Sequence, residues 1–236
     1  GLAQLLAAIG AAMGEAPLSA LIHHHRWDTV MHYIAYLGLI IAMFAFLIIP
    51  NQRKHFNKTA SPTTQPAYRS MIQNLKTISC KSSNLWTALY ACLNWTPVLI
   101  LAELSGVVFL EARGLTASES SGLINFIWYG IMIASPLIGF LTSRYPFRLF
   151  LTRFCALSGV IGSLAAIYIA HLPFAILAIC MLLIGLASSG QILTFGLIKD
   201  QNPIEMTGTA VAFNNMAVVA GGLIFQPIVG LILHHT

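Results

Sequence analysis

The sequence predicts an all-α, polytopic transmembrane bundle, and two observations carry this. Of 236 residues, 57% are hydrophobic and only 8% are charged, against about 25% charged in an ordinary soluble domain. So little charge cannot coat a water-facing surface, and so apolar a chain is not disordered. The second observation is the length of the charge-free runs. No Asp, Glu, Lys or Arg occurs from Phe154 to Ile198, about twice the 20 or so residues that one helical span needs.

Seven spans follow, at about 1–22, 31–50, 85–110, 121–142, 149–170, 173–198 and 207–233. The long Phe154–Ile198 run divides at Ala170-His171-Leu172-Pro173, where proline suits the first turn of a new helix. Barrel strands are excluded, because they run about 10 residues and alternate in polarity. With no water at membrane depth, each helix satisfies its own backbone.

The loops set the orientation. Segments 51–84, 143–153 and 199–206 hold ten of the twelve Lys and Arg residues, and the opposite loops hold only Arg26 and Arg113. The positive-inside rule places the first set in the cytoplasm and the N-terminus inside. A seven-helix receptor runs the other way, and a retinal protein needs a lysine that 207–233 lacks.

Segment 51–84 is the one long polar stretch, with six basic residues and no acid. Thr59–Pro66 reads as a linker, and Tyr68–Ile78 as a short basic amphipathic helix at the membrane surface. The predicted organisation is therefore 1–50 as the end of an N-terminal bundle, 51–84 as a cytoplasmic linker, and 85–236 as a C-terminal bundle. A faint parallel repeat aligns Pro17 of the first span with Pro227 of the last, six spans on, a spacing found in some transporters.

The hairpin Gly139-Phe-Leu-Thr-Ser-Arg144-Tyr-Pro-Phe-Arg148 resembles the second copy of the cytoplasmic loop motif of major facilitator superfamily transporters, Gly-x-Leu-x-Asp-Arg-x-Gly-Arg-Arg. Gly139, Leu141, Arg144 and Arg148 match, whereas Ser143 replaces the acid, Pro146 the glycine and Phe147 an arginine. Gly10 to Pro17 followed by Arg26-Trp27 looks like the fifth span of that family. Pro97 to Gly106, with Glu103, is similar to the seventh span of bacterial members. The resemblance implies a segment covering spans five to eleven of twelve, with spans one to four and twelve outside it. It also implies secondary active transport of a small polar or organic solute by alternating access, and a multi-pass place in the bacterial inner membrane. The expected partners are that solute, protons and membrane lipid. No cofactor and no metal is expected.

Ionisable groups inside a membrane are costly and usually functional. Glu15 and Glu103 are the acids within spans, and Gln4, Ala8 and Glu15 share a helical face. Glu103 falls at helical spacing from Cys92, Thr96 and Leu99. A carboxyl that is neutral when enclosed and ionised when wet could couple proton movement to transport. Asn125 and Tyr129, Gln191 with Thr194, and Asn215 with Gln226 are further candidates for a polar cavity wall. The glycine pairs Gly10/Gly14, Gly159/Gly162 and Gly221/Gly222 suit close helix approach.

Other classes have weaker support. His23 and Asp28 fit the His-x4-Asp spacing of acyltransferases, so an integral membrane enzyme is the alternative, with a non-transporting receptor third. The basic loops lack the interleaved aromatics of a nucleic-acid surface. Cys80, Cys92, Cys155 and Cys180 show no metal spacing and are expected to be free thiols. The Asn57-Lys58-Thr59 sequon is expected to be cytoplasmic and unused.

Overall fold

A computed structural model describes residues 1–24, 26–48, 67–145, 147–169 and 171–235, with the side chains of 15–24, 67–70 and 233–235 outside the description. The Thr59–Pro66 linker, the sequon, His25 and Pro146 therefore lie outside the described residues, as do the side chains of Glu15, Pro17, His23 and His24.

The described chain is helical, in the order α1 (Leu2–His24), α2 (Trp27–Ile48), α3 (Ala67–Cys80), α4 (Ser82–Pro97), a π-wound stretch (Val98–Ser105), α5 (Gly106–Glu111), α6 (Ala117–Arg144), α7 (Arg148–Tyr168), α8 (Phe174–Ser188), α9 (Gln191–Asp200), a short 3-10 turn (Ile204–Met206) and α10 (Thr207–His235). Two pairs run on as single rods, Ser82–Glu111 and Phe174–Asp200. By length and composition, six described helices can cross a membrane, and α1 adds a shorter apolar helix over Leu2–Gly14. The sequence predicts seven spans. The difference lies at α1, whose described side chains stop at Gly14.

The core forms where α6, α8 and the π-wound stretch meet. Leu123, Ile124, Ile127 and Ile131 of α6 pack with Leu177, Met181 and Ile184 of α8 and with Val98. Trp128 is buried in this cluster and Trp95 packs against it, so both serve as packing residues. The α6–α8 crossing depends on having no side chain at two positions. A Cβ on Gly130 would strike Leu182 O, and one on Gly185 would strike Ile127 O. α7 covers α8 in the same way, since a Cβ on Gly162 would sit 2.8 Å from Cys180 O. At Gly10 and Gly14, nothing among the described residues lies within 4 Å of a Cβ placed on either.

α1 lies along α6, burying Ala8 in the same core. α2 buries only Val30. Asp28 serves the start of α2, accepting from Thr29 N at 3.0 Å and pairing with Arg26 at 3.3 Å. On the opposite side of the molecule from the basic loops, Arg113 caps the end of α7 by donating to Ile167 O and Ile169 O. Its guanidinium also lies 4.8 Å above the Phe109 ring.

The basic segment before α4 forms a helix as its amphipathic pattern predicts, and it is docked. Ile78 of α3 is fully buried with Ile198 of α9 and Ala210 of α10. Met71 and Ile72 remain exposed on its other side.

Candidate functional site

The α8–α9 rod breaks at Ser188-Ser189-Gly190, within about 5 Å of its middle at 1.5 Å per residue. The local cause is in the side chains. The Ser188 and Ser189 hydroxyls donate back to Ile184 O and Gly185 O, at 2.9 and 3.2 Å. Such back-bonding competes with the helical ladder. The backbone then tightens to three-residue bonds, Gly190 N to Ala187 O at 2.8 Å and Leu193 N to Gly190 O at 3.0 Å. Gly190 is required by crowding: a Cβ there would lie 2.7 Å from Cys155 Cβ and 2.8 Å from Tyr90 Oη.

Polar groups from neighbouring spans converge on the break. Asn94 of α4 donates to Ala187 O at 2.8 Å, and the Ser188 hydroxyl is shared with Asn94 O at 3.2 Å. Ser135 of α6 donates to Ser189 Oγ at 3.3 Å. Asn214 of α10 donates to Thr194 Oγ1 at 2.8 Å, and that hydroxyl donates on to Gln191 O at 2.6 Å. This relay fixes the Asn214 amide, because the Thr194 proton is already committed and its oxygen can only accept. Asn214 Oδ1 therefore faces away as an acceptor.

Two buried acceptors are left over here. Neither Gln191 Oε1 nor Asn214 Oδ1 has a hydrogen-bond partner among the described residues, and the same is true of Asn125 Oδ1 nearer the other end of α6. Native proteins rarely leave such groups unpaired, and each costs about 1–3 kcal/mol when unmet. Groups of this kind suit a ligand or solvent that brings N–H or O–H donors.

A second irregularity lies on the α4–α5 rod. Pro97 has no N–H to donate to the preceding turn, and from Val98 to Ser105 the helix is π-wound. Single-turn π segments often occur at functional sites. Ser105 Oγ donates to Ile100 O at 3.0 Å, and Gln226 of α10 reaches in to Leu99 O at 3.0 Å. Glu103 falls inside this stretch and is exposed, whereas Cys92, Thr96 and Leu99 are buried. The wider winding turns Glu103 off the face that a 3.6-residue period would give it.

The remaining candidates divide by position. Tyr129 is 43% exposed and meets Phe126 edge to face at 5.6 Å, Asn215 is exposed, and Gln4 is half-buried on α1. Gln191 and Asn125 are buried. The break gathers Gln191, and it does not gather Glu103, Asn215 or Tyr129. Asn214, Asn94 and Ser189 were not singled out from sequence. A Ser-Ser-Gly run inside an apolar span was the available signal for the break.

At the basic end, Arg148 pairs with Asp200 at the end of α9. The acid absent at Ser143 in the loop motif is thus met from another helix. Lys81 donates to Gln201 O, and Asn84 and Asn202 exchange reciprocal amide bonds at 3.0 and 2.9 Å. Gly139 lies beside Gly1, 3.4 Å from its Cα to a Cβ placed on Gly139.

Helices interrupted near the middle of a span recur at the substrate sites of membrane transporters. The family model of the Major Facilitator Superfamily matches residues 1–226, and the chain belongs to that superfamily of secondary transporters. No curated protein and no solved structure matches the chain.

Proposed function

We propose that the protein carries a small polar or organic solute across the bacterial inner membrane by alternating access, coupled to protons. The observation that carries the solute class is the pair of unmet acceptors, Gln191 Oε1 and Asn214 Oδ1, beside the α8–α9 break. They favour a solute with hydrogen-bond donors. In this reading α1 and α2 belong to an N-terminal bundle, 51–84 links the halves, and 85–236 forms the C-terminal bundle. Gln4, Asn125, Tyr129, Asn215 and Gln226 are the further candidates for the pathway away from the break, and Glu15 is retained as a candidate from its place in the first span.

Glu103 is the proton-coupling group in this proposal. Its place in the π-wound stretch leaves it exposed on the present surface. Enclosure by a closing cavity would favour the neutral carboxyl, and opening to water the carboxylate. In the full-length protein, Glu103→Gln is expected to abolish gradient-driven accumulation in liposomes while sparing solute exchange, because Gln mimics the neutral form. Accumulation with unchanged pH dependence in that variant would remove Glu103 from the coupling role.

A further inference from the structure

The α6–α7 hairpin carries a cleft that the transport reading does not use. Thr142, Ser143, Arg144, Tyr145 and Arg148 line an open space of about 420 Å3 at the basic end of the bundle. The ion pairs among the described residues are Arg26–Asp28 and Arg148–Asp200, so Arg144 meets no acid. Arg148 gives one guanidinium nitrogen to Asp200 and keeps its other donors. Thr142 and Ser143 donate their hydroxyl protons to helix carbonyls, at 2.8 Å to Ile138 O and 2.8 Å to Phe140 O. What they offer the cleft is lone pairs. The cleft can thus hold an anion between two arginines and accept from hydroxyls attached to it.

The surroundings select an amphiphile over a soluble anion. Tyr145 and Phe147 stack at 5.6 Å, nearly parallel at 11°, and Phe150 and Phe154 stack at 6.4 Å. All four are exposed, Phe147 at 56% and Phe150 at 66%. α7 begins at Arg148, carries Arg153 and is free of charge from Phe154 onward, so the arginines stand at headgroup depth with Phe147 and Phe150 among them and Phe154 at the edge of the apolar region. Basic pockets between spans at that depth suit acidic lipid headgroups, Tyr145 suits the interface, and the exposed phenylalanines offer apolar surface to acyl chains. The first turn of α7 has no side-chain cap, and its partial positive charge acts in the same direction.

We propose that the α6–α7 hairpin is a binding site for an anionic phospholipid, with the phosphodiester between Arg144 and Arg148 and the acyl chains along Phe147, Phe150 and Phe154. The site requires only that the protein is embedded in a membrane, so it stands independently of the solute and of proton coupling.

The test is native mass spectrometry of the full-length protein in detergent, offered phosphatidylglycerol and phosphatidylcholine with the same acyl chains. Phosphatidylglycerol is expected to be retained about fivefold or more over phosphatidylcholine. Arg144→Gln should reduce that retention about fivefold, since a basic residue near an acidic headgroup contributes about that factor. Arg144→Lys should recover much of it, and Phe150→Ser should weaken it. Arg26→Gln, just ahead of α2 and in the opposite set of loops, should leave it unchanged. Equal retention of the two lipids would overturn the proposal, as would unchanged retention in Arg144→Gln. Displacement of the lipid by equimolar glycerol phosphate would assign the cleft to a soluble phosphate and overturn the lipid.

Discussion

Asn214 and Asn215 are adjacent in α10 and face opposite surroundings. Asn214 is fully buried and donates to Thr194, whereas Asn215 is exposed. Inside a membrane an interhelical side-chain bond contributes about 0.6–2 kcal/mol. Asn214→Ala is therefore expected to lower stability by about that amount, read as a reduced unfolding temperature in detergent. Asn215→Ala should leave the unfolding temperature unchanged and, if the residue lines the pathway, raise the KM for the solute. Equal thermal effects in the two variants would contradict the Asn214–Thr194 bond as a tie between α10 and α9, a role separate from that of the unmet Asn214 Oδ1. At this scale the sequence marked two neighbouring amides but could not choose between them. A 100° step along the helix separates them, and only the position of α9 decides which one finds a partner.

Two elements depart from regular winding, and close packing surrounds both. The α6–α8 crossing brings Gly130 and Gly185 together with backbone atoms where a Cβ would stand. Gly185→Val is expected to destabilise the bundle by about 1–3 kcal/mol through overpacking, seen as aggregation in fluorescence-detected size exclusion. Gly208→Ala, at a position with nothing among the described residues within 4 Å, is the contrast and should elute normally. If the Gly185 variant also elutes as a sharp peak, the crossing is looser than described. The spans themselves were legible from hydropathy. The π-wound stretch after Pro97 and the turn at Ser189-Gly190 were not, because a hydropathy window averages across about 20 residues and both interruptions preserve apolar composition.

At the scale of the whole molecule, charge sets orientation. The basic residues concentrate at the end that holds α3, the α6–α7 hairpin and the α9–α10 turn. Single cysteines at Lys76 and Ser118, in a cysteine-free background, test it with an impermeant thiol reagent on intact cells. Labelling is expected at the Ser118 site and not at the Lys76 site, and the reverse pattern would invert the topology. The same end is held together by Arg148–Asp200 and by the Asn84–Asn202 pair. The ion pair is part-exposed, so it contributes little to stability, about 0–1 kcal/mol. Its value is to define which helix ends stay together.

By itself the sequence determined the all-helical membrane class, the approximate spans and the basic side of the bundle. These follow from local physics: a span must be apolar along its length, and it must satisfy its backbone within itself. The same logic made α3 a helix from its amphipathic pattern. Tertiary structure decided the rest. It seated Ile78 of α3 between α9 and α10, turned Glu103 away from Cys92, Thr96 and Leu99, gave Arg148 its acid at Asp200, and left Gln191 and Asn214 with unmet oxygens at the break. Each of these outcomes depends on which helix face meets which neighbour. In so apolar a chain that is set by small residues such as Gly130, Gly185 and Gly190, whose role is visible only once the opposing backbone is in place.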